Sequence, residues 1–229
     1  MMAKRSNRPL VLIAVVCTSL VAGAAVRGVL TRPATTRGDP SSVSNAKDSR
    51  SGPGPTTYRN GIPSGFAQST DGVRAAAVGY VLTGQVLIDL PTTAVSEAVR
   101  AMSSAGSADV QVTTTQQQLD QLRSVLAPGT GSTQYLQAAI ATRVDAFTLD
   151  RARVSVWNVG VLSRMGVAAP QAGWTTSVFD LVWERGDWKT WGETITPGPA
   201  PALNAGTAPA TSGELQASLN GFAPWAASR

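Results

Sequence analysis

The carboxylates of the C-terminal half are the side chains whose chemistry comes first into question. The chain holds no histidine, so a catalytic base would have to be Asp145, Asp150, Asp180 or Glu184. Asp150 follows Leu149 in an expected turn, where a short carboxylate more commonly bonds its own backbone. Asp180 and Glu184 share a predicted strand face with Val178 and Val182, which makes them the candidate pocket acids; a solvated strand carboxylate gives the same pattern. No two acids recur at a spacing that suits a two-carboxylate mechanism. The absence of histidine excludes a Ser-His-Asp triad, a Cys-His pair and an H-E-x-x-H zinc site. Cys17 is the one cysteine, so an intrachain disulfide and a cysteine-based metal cluster are excluded as well. Gly61-Ile62-Pro63-Ser64-Gly65 reads as a turn-rich entry to the domain, not as a phosphate-cradling loop. The expectation is a non-enzyme with no catalytic residue, no metal site and no cofactor.

Tryptophans offer a different chemistry. Trp157, Trp174, Trp183, Trp188 and Trp191 gather in one stretch of the chain. Such rings fill cores or pair across strands, and they also form interface hot spots or line pockets. Trp157 and Trp174 are the candidate partner contacts. Trp174, between Gly173 and two threonines at a strand start, is the one expected to be exposed.

The elements that must position these residues can be read from periodicity. Residues 69–88 place Val73, Ala77, Tyr80, Val81, Gly84 and Leu87 at helical spacing, with Ser69 and Asp71 available as N-caps. A second helix is predicted over 92–103, after Pro91, with Val95, Val99 and Met102 on one stripe. A third is predicted over 113–126, carrying Leu119, Leu122, Val125 and Leu126, and stopped by Pro128-Gly129. Helical patterning then gives way to alternation. Strands are predicted over 137–148, 151–162, 174–184 and 187–195, with Arg185-Gly186 as a tight hairpin turn. Helices followed by an antiparallel meander predict an α+β fold, with the helices packed on one face of a curved sheet.

Charge and hydropathy organise the rest. The formal net charge is +5, and Lys4, Arg5, Arg8, Arg27, Arg32 and Arg37 lie in or beside the N-terminal segment. The basic surplus therefore marks a membrane-flanking segment, and no direct nucleic-acid partner is expected. Pro9 to Val26 carries no charge, and a run of about 18–20 apolar residues crosses a bilayer core. Residues 1–8 are expected to form a cytoplasmic tail and 9–30 a transmembrane anchor. Ala22-Gly23-Ala24 also has the small-x-small form of a signal-peptide cleavage site. Residues 31–57, rich in Pro, Gly, Ser and Thr, read as a disordered linker with a reach of roughly 25–30 Å. An extracytoplasmic α+β domain is expected over 58–195, then a Pro/Ala linker over 196–212. Residues 213–229 are expected to form a short helix and tail, with Leu215, Leu219 and Phe222 on one helix face.

A resemblance sharpens this outline. The segment "LVWERGDWKTW" resembles the closing hairpin of nuclear-transport-factor-2-like (cystatin-like) α+β domains, which implies a bent sheet wrapping a helix. A basic tail, one span, a tether and such a domain are similar in layout to the inner-membrane assembly factors of type IV secretion and conjugation systems. "NGIPSGFAQSTDGVRAAAVGYV", "DRARVSVWNVGVL" and "LNGFAPW" resemble actinobacterial single-pass membrane proteins. The resemblance covers most of 58–225 and brings no catalytic motif with it. It implies a membrane-held, non-enzymatic scaffold that meets other envelope or secretion-complex proteins and can form homo-oligomers. The competing expectation is an extracytoplasmic ligand-binding or sensory domain that uses the apolar cone of the sheet.

Overall fold

The computed structural model describes residues 52–126, 131–165, 168–201 and 209–226. The expected cytoplasmic tail, the anchor with Cys17, most of the first linker and the Pro128-Gly129 stop lie outside the described residues. Among the described residues, no helix is long and apolar enough to cross a membrane.

The chain enters through a small hairpin, β1 (Thr57–Arg59) and β2 (Ile62–Ser64). Asn60 and Gly61 join the two strands with φ of 52° and 78°. Two consecutive positive φ values make the tight turn that suits strand twist, and Asn-Gly is the pair that adopts it most readily. The turn-rich entry expected over Gly61-Ile62-Pro63-Ser64-Gly65 is thus the second half of a hairpin.

Helix α1 (Thr70–Leu87) starts where the Ser69 side chain accepts the Gly72 amide, with Asp71 in its first turn. Its alanines and Gly84 let the helix lie close over the sheet, while Tyr80 and Leu87 are completely buried. Helix α2 (Thr92–Met102) follows Pro91 and buries Val95, Ala98, Val99 and Met102, as its stripe predicts. Helix α3 (Ala108–Leu126) begins five residues before the predicted start. Its buried stripe runs through Ala108, Gln111, Val112, Thr115, Leu119 and Leu122. Gln111 and Thr115 are polar, so hydropathy alone concealed the first turns.

The sheet is antiparallel throughout. Strands β3 (Thr133–Phe147), β4 (Arg151–Arg164), β5 (Ala168–Glu184) and β6 (Asp187–Pro197) form a meander in the order β6-β5-β4-β3. Arg185 and Gly186, at φ 56° and 77°, make the tight β5–β6 turn that was expected. Register shifts interrupt the pairing at Ala139/Ala141, Val144/Ala146, Leu162/Arg164 and Asp180/Leu181. Each shift adds twist and bends its strand. The inner face, carrying Val154, Val156, Phe179, Leu181 and Trp188, meets the helices to form the core. Burial of such a large apolar side chain stabilises the fold by about 1.5–3 kcal/mol. The expected α+β architecture, helices on an antiparallel sheet, is the observed one.

The C-terminal segment joins the same unit. Helix α4 is confined to Ser212–Ser218, capped by a reciprocal Thr211–Glu214 box. The expected helix face does not extend to Phe222, because the Asn220-Gly221 turn redirects the chain. A two-residue strand β7 (Ala223–Pro224) then pairs with Ala141 and Thr142 of β3, and Trp225 packs against the core. The tail is thus the fifth strand of the sheet. The region expected to be a linker also begins packed, since Ala200 is buried.

Candidate functional site: a charged groove and a buried acid

Three segments leave a groove of about 900 Å³ between them. The β1–β2 hairpin forms one wall with Tyr58 and Arg59. Helix α2 supplies Glu97, Ala98, Arg100 and Ala101, and the β5–β6 turn supplies Glu184, Arg185 and Lys189. Small alanines on the α2 side keep the groove open. Tyr58 is 68% exposed, so its ring stands in solvent at the rim.

Glu184, one of the two candidate pocket acids, does line this groove. Its Oε2 accepts the Ala105 amide at 3.1 Å, and Arg185 Nε lies 3.7 Å from Oε1. The carboxylate thus caps the loop between α2 and α3. Asp187, which the sequence reading did not single out, is held more tightly. Its Oδ1 accepts the amides of Phe66 (2.9 Å) and Trp188 (3.0 Å), and its Oδ2 meets Lys189 Nζ at 2.9 Å. Lys189 Nζ also donates to the Ala101 carbonyl, at 2.7 Å. These contacts pin the chain entry, the β5–β6 turn and the end of α2 to one another.

Asp180 stands apart from Glu184. The two are four residues apart on one strand face, about 13 Å along the strand, and Asp180 pairs across to Arg153 at 3.3 Å. Asp145 accepts the Ser155 hydroxyl at 2.6 Å and pairs with Arg143. Asp150 accepts the Thr148 hydroxyl at 2.7 Å, a bond that holds its carboxyl below the usual range. It is a turn former, as its position predicted. The structure therefore disperses the four sequence-selected acids and gives each a local partner.

The tryptophan expectation needs correction. Trp157 is buried, 8% exposed, and stacks on Trp174 with ring centroids 4.9 Å apart. Its indole N–H donates to the Pro199 carbonyl at 3.0 Å. Trp174, expected to be exposed, is half-buried. The physical reason is the chain after β6, which folds back over this corner. Gly198 donates its amide to the Trp174 carbonyl, and the Thr176 hydroxyl donates to the Gly198 carbonyl. Trp191 is the tryptophan that reaches solvent, at 42% exposure.

Trp191 also explains the residue that sequence reasoning missed. From buried Trp188 and Thr190, strict alternation would send Gly192 inward and Glu193 outward. A register shift at Asp180/Leu181 leaves Trp191 as the extra residue of β6, and the phase of the strand inverts beyond it. Glu193 therefore lies opposite Phe179 on the inner face, 5% exposed. Burial pushes its carboxyl up to about 8, opposed by a hydrogen bond with Ser177. Asn158, Thr175 and Ser177 are buried on the same face; Thr175 Oγ1 donates to Asn158 Oδ1 at 3.1 Å. Among the described residues, no group of three or more acids, histidines or cysteines is placed to hold a metal ion.

No curated protein matches the chain. Part of the chain is similar to the solved intermembrane space region of the chloroplast protein ARC6, at 12% identity over 45% of this chain and 78% of that one, with a TM-score of 0.31. A family model described as a domain of unknown function, DUF8175, matches residues 41–213. That span takes in the hairpin, the three long helices, the whole meander and the groove, and the chain belongs to this family.

Proposed function

We propose that the chain is a membrane-anchored, non-enzymatic assembly module of a conjugation- or secretion-type envelope complex. In this reading residues 9–30 hold it in the membrane, the N-terminus is cytoplasmic and the α+β domain is extracytoplasmic. The observation that carries the reading is how the groove is built. Glu184 and Asp187 are bound to backbone amides and tie the groove's walls together, while Tyr58 and the charges of Arg59 and Glu97 face solvent. An exposed aromatic ringed by charges of both signs suits recognition of a protein surface better than turnover of a small molecule. The apolar N-terminal run and the resemblance in layout to type IV secretion assembly factors, with their nuclear-transport-factor-2-like domains, point the same way.

The test is site-specific photo-crosslinking in intact membranes, with the reactive group at position 58 and a control at Asn220 on the tail. Envelope-complex proteins, or a second copy of the chain, are expected at position 58 and absent at 220. Equal, non-selective labelling at both positions would sink the proposal. A topology reporter fused after Arg229 is expected to signal outside the cytoplasm.

A second reading, an extracytoplasmic ligand-binding or sensory domain, is favoured by one observation: the buried acid Glu193 beside Ser177, Asn158 and Thr175. Saturable binding of a small polar solute that is abolished by Ser177→Ala would support it over the first.

A further inference from the structure

Edge strand β6 carries a buried carboxylic acid where the rest of its buried positions are occupied by uncharged side chains or, at Asp187, by an ion pair. Glu193 is in register with Phe179, is 5% exposed, and its Oε2 has no hydrogen-bond partner among the described residues. An ionised carboxylate so placed would lack both water and a cation. A neutral carboxyl avoids that charge penalty, and burial outweighs the hydrogen bond with Ser177 that favours the ionised form.

Among the described residues, no charge offsets its ionisation. On β5 the inward neighbours are Thr175, Ser177 and Phe179, and on β4 they are Val156 and Asn158. The buried stripe of α3 is uncharged; Asp109 of that helix pairs with Arg100, and Asp120 with Arg123, both toward solvent. From α1, Tyr80 reaches β6 five residues before Glu193, where its hydroxyl donates to the Trp188 carbonyl. Burial and the nearby Asp187 hold that phenol well above its ordinary value. Asp187 is committed to Lys189 at the start of β6. Neither Tyr80 nor Asp187 contributes to the state of Glu193, which is set by burial and Ser177.

Strand β6 is also held from its outer edge chiefly at one point. The Thr190 carbonyl accepts the Ser104 amide, the Ser107 hydroxyl and the Gln111 side-chain amide, all within 3.0 Å. Three residues further along, beyond the bulge, Glu193 occupies the inner face.

We propose that Glu193 is a proton-dependent latch for the second half of β6: neutral, it lets the strand pack inward, and ionised, it favours release of residues 192–197 from the core. The inference rests on the fold and is independent of the assembly reading. An opened strand exposes the acid to water, where its ordinary value of 4.5 applies, so opening is coupled to loss of one proton between pH 4.5 and about 8. The opening constant should rise about tenfold per pH unit across that window.

Hydrogen exchange of the full-length chain, corrected for intrinsic rates, tests this on peptides covering 187–197. Protection is expected to be about 100-fold lower at pH 7.5 than at pH 5.5, and in Glu193→Gln it is expected to be equal at the two values. Should that variant fail to fold, ¹³C-carboxyl titration of glutamate-labelled native chain decides: one glutamate is expected to titrate near pH 8. Titration of every glutamate below pH 6, or the same pH-dependent loss of protection in Glu193→Gln, would overturn the latch.

Discussion

The Asp187 carboxylate accepts the amide of Phe66 at 2.9 Å, closing a span of 121 residues with one hydrogen bond. It lies at the first position of β6, one residue beyond the tight turn, and reaches the segment that leads from the N-terminal hairpin into α1. The same carboxylate holds Lys189, which in turn bonds the last turn of α2. A single buried acid thus fixes the mutual position of the groove's walls.

Asp187→Ala should therefore destabilise the domain by about 3–5 kcal/mol, because it strands the largely buried Lys189 and two backbone amides. Equilibrium urea unfolding measures it. A loss under 1 kcal/mol would mean that water replaces the carboxylate at little penalty.

Trp157 and Trp174 stack at 29° between ring planes, on the sheet face opposite the helices. A double-mutant cycle with leucine at each position should return a coupling of about 0.5–1.5 kcal/mol. Trp157→Phe alone should lose about 1 kcal/mol by orphaning the Pro199 carbonyl. Additive single and double variants would show that the stack contributes nothing beyond burial.

Gly106 lies under the ring of Trp191, and a Cβ built there would meet the ring at 2.7 Å. Gly106→Ala should displace the solvent-exposed indole from the α2–α3 loop at a penalty of up to about 1 kcal/mol. The penalty should shrink in a Trp191→Ala background, where the obstructing ring is gone. An equal penalty in both backgrounds would place its origin in the backbone.

Global stability should fall as pH rises from about 4.5 to about 8. In that window the folded chain retains the Glu193 proton and the unfolded chain has released it, so the native state binds more protons. Glu193 then contributes a loss of up to about 1.4 kcal/mol per pH unit. Glu193→Gln should remove that slope and be the more stable protein at pH 8, as read by chemical unfolding at a series of pH values. A slope unchanged by the substitution would assign the effect to other groups.

Much of the architecture is legible in the residues themselves. The Ala-rich run behind Ser69, the Val95/Val99/Met102 stripe, the alternation from Val154 to Leu181 and the Arg185-Gly186 turn each express a local rule of spacing or backbone freedom. Together they specify helices followed by an antiparallel meander. Asn60-Gly61 carries an equally local hairpin signal, and the absence of histidine excludes whole classes of chemistry whatever the fold. What tertiary structure alone decided is which side chains lie inside where a local rule breaks. The first turns of α3 are buried through Gln111, whose side-chain amide donates to the distant Thr190 carbonyl. Trp157 is covered because a proline-rich segment folds back over it, and Glu193 is buried because one extra residue at Trp191 inverts the strand. Periodicity is a property of neighbours in sequence. A bulge or a returning chain is settled by partners far away in it, and the buried acid and the walls of the groove depend on such partners.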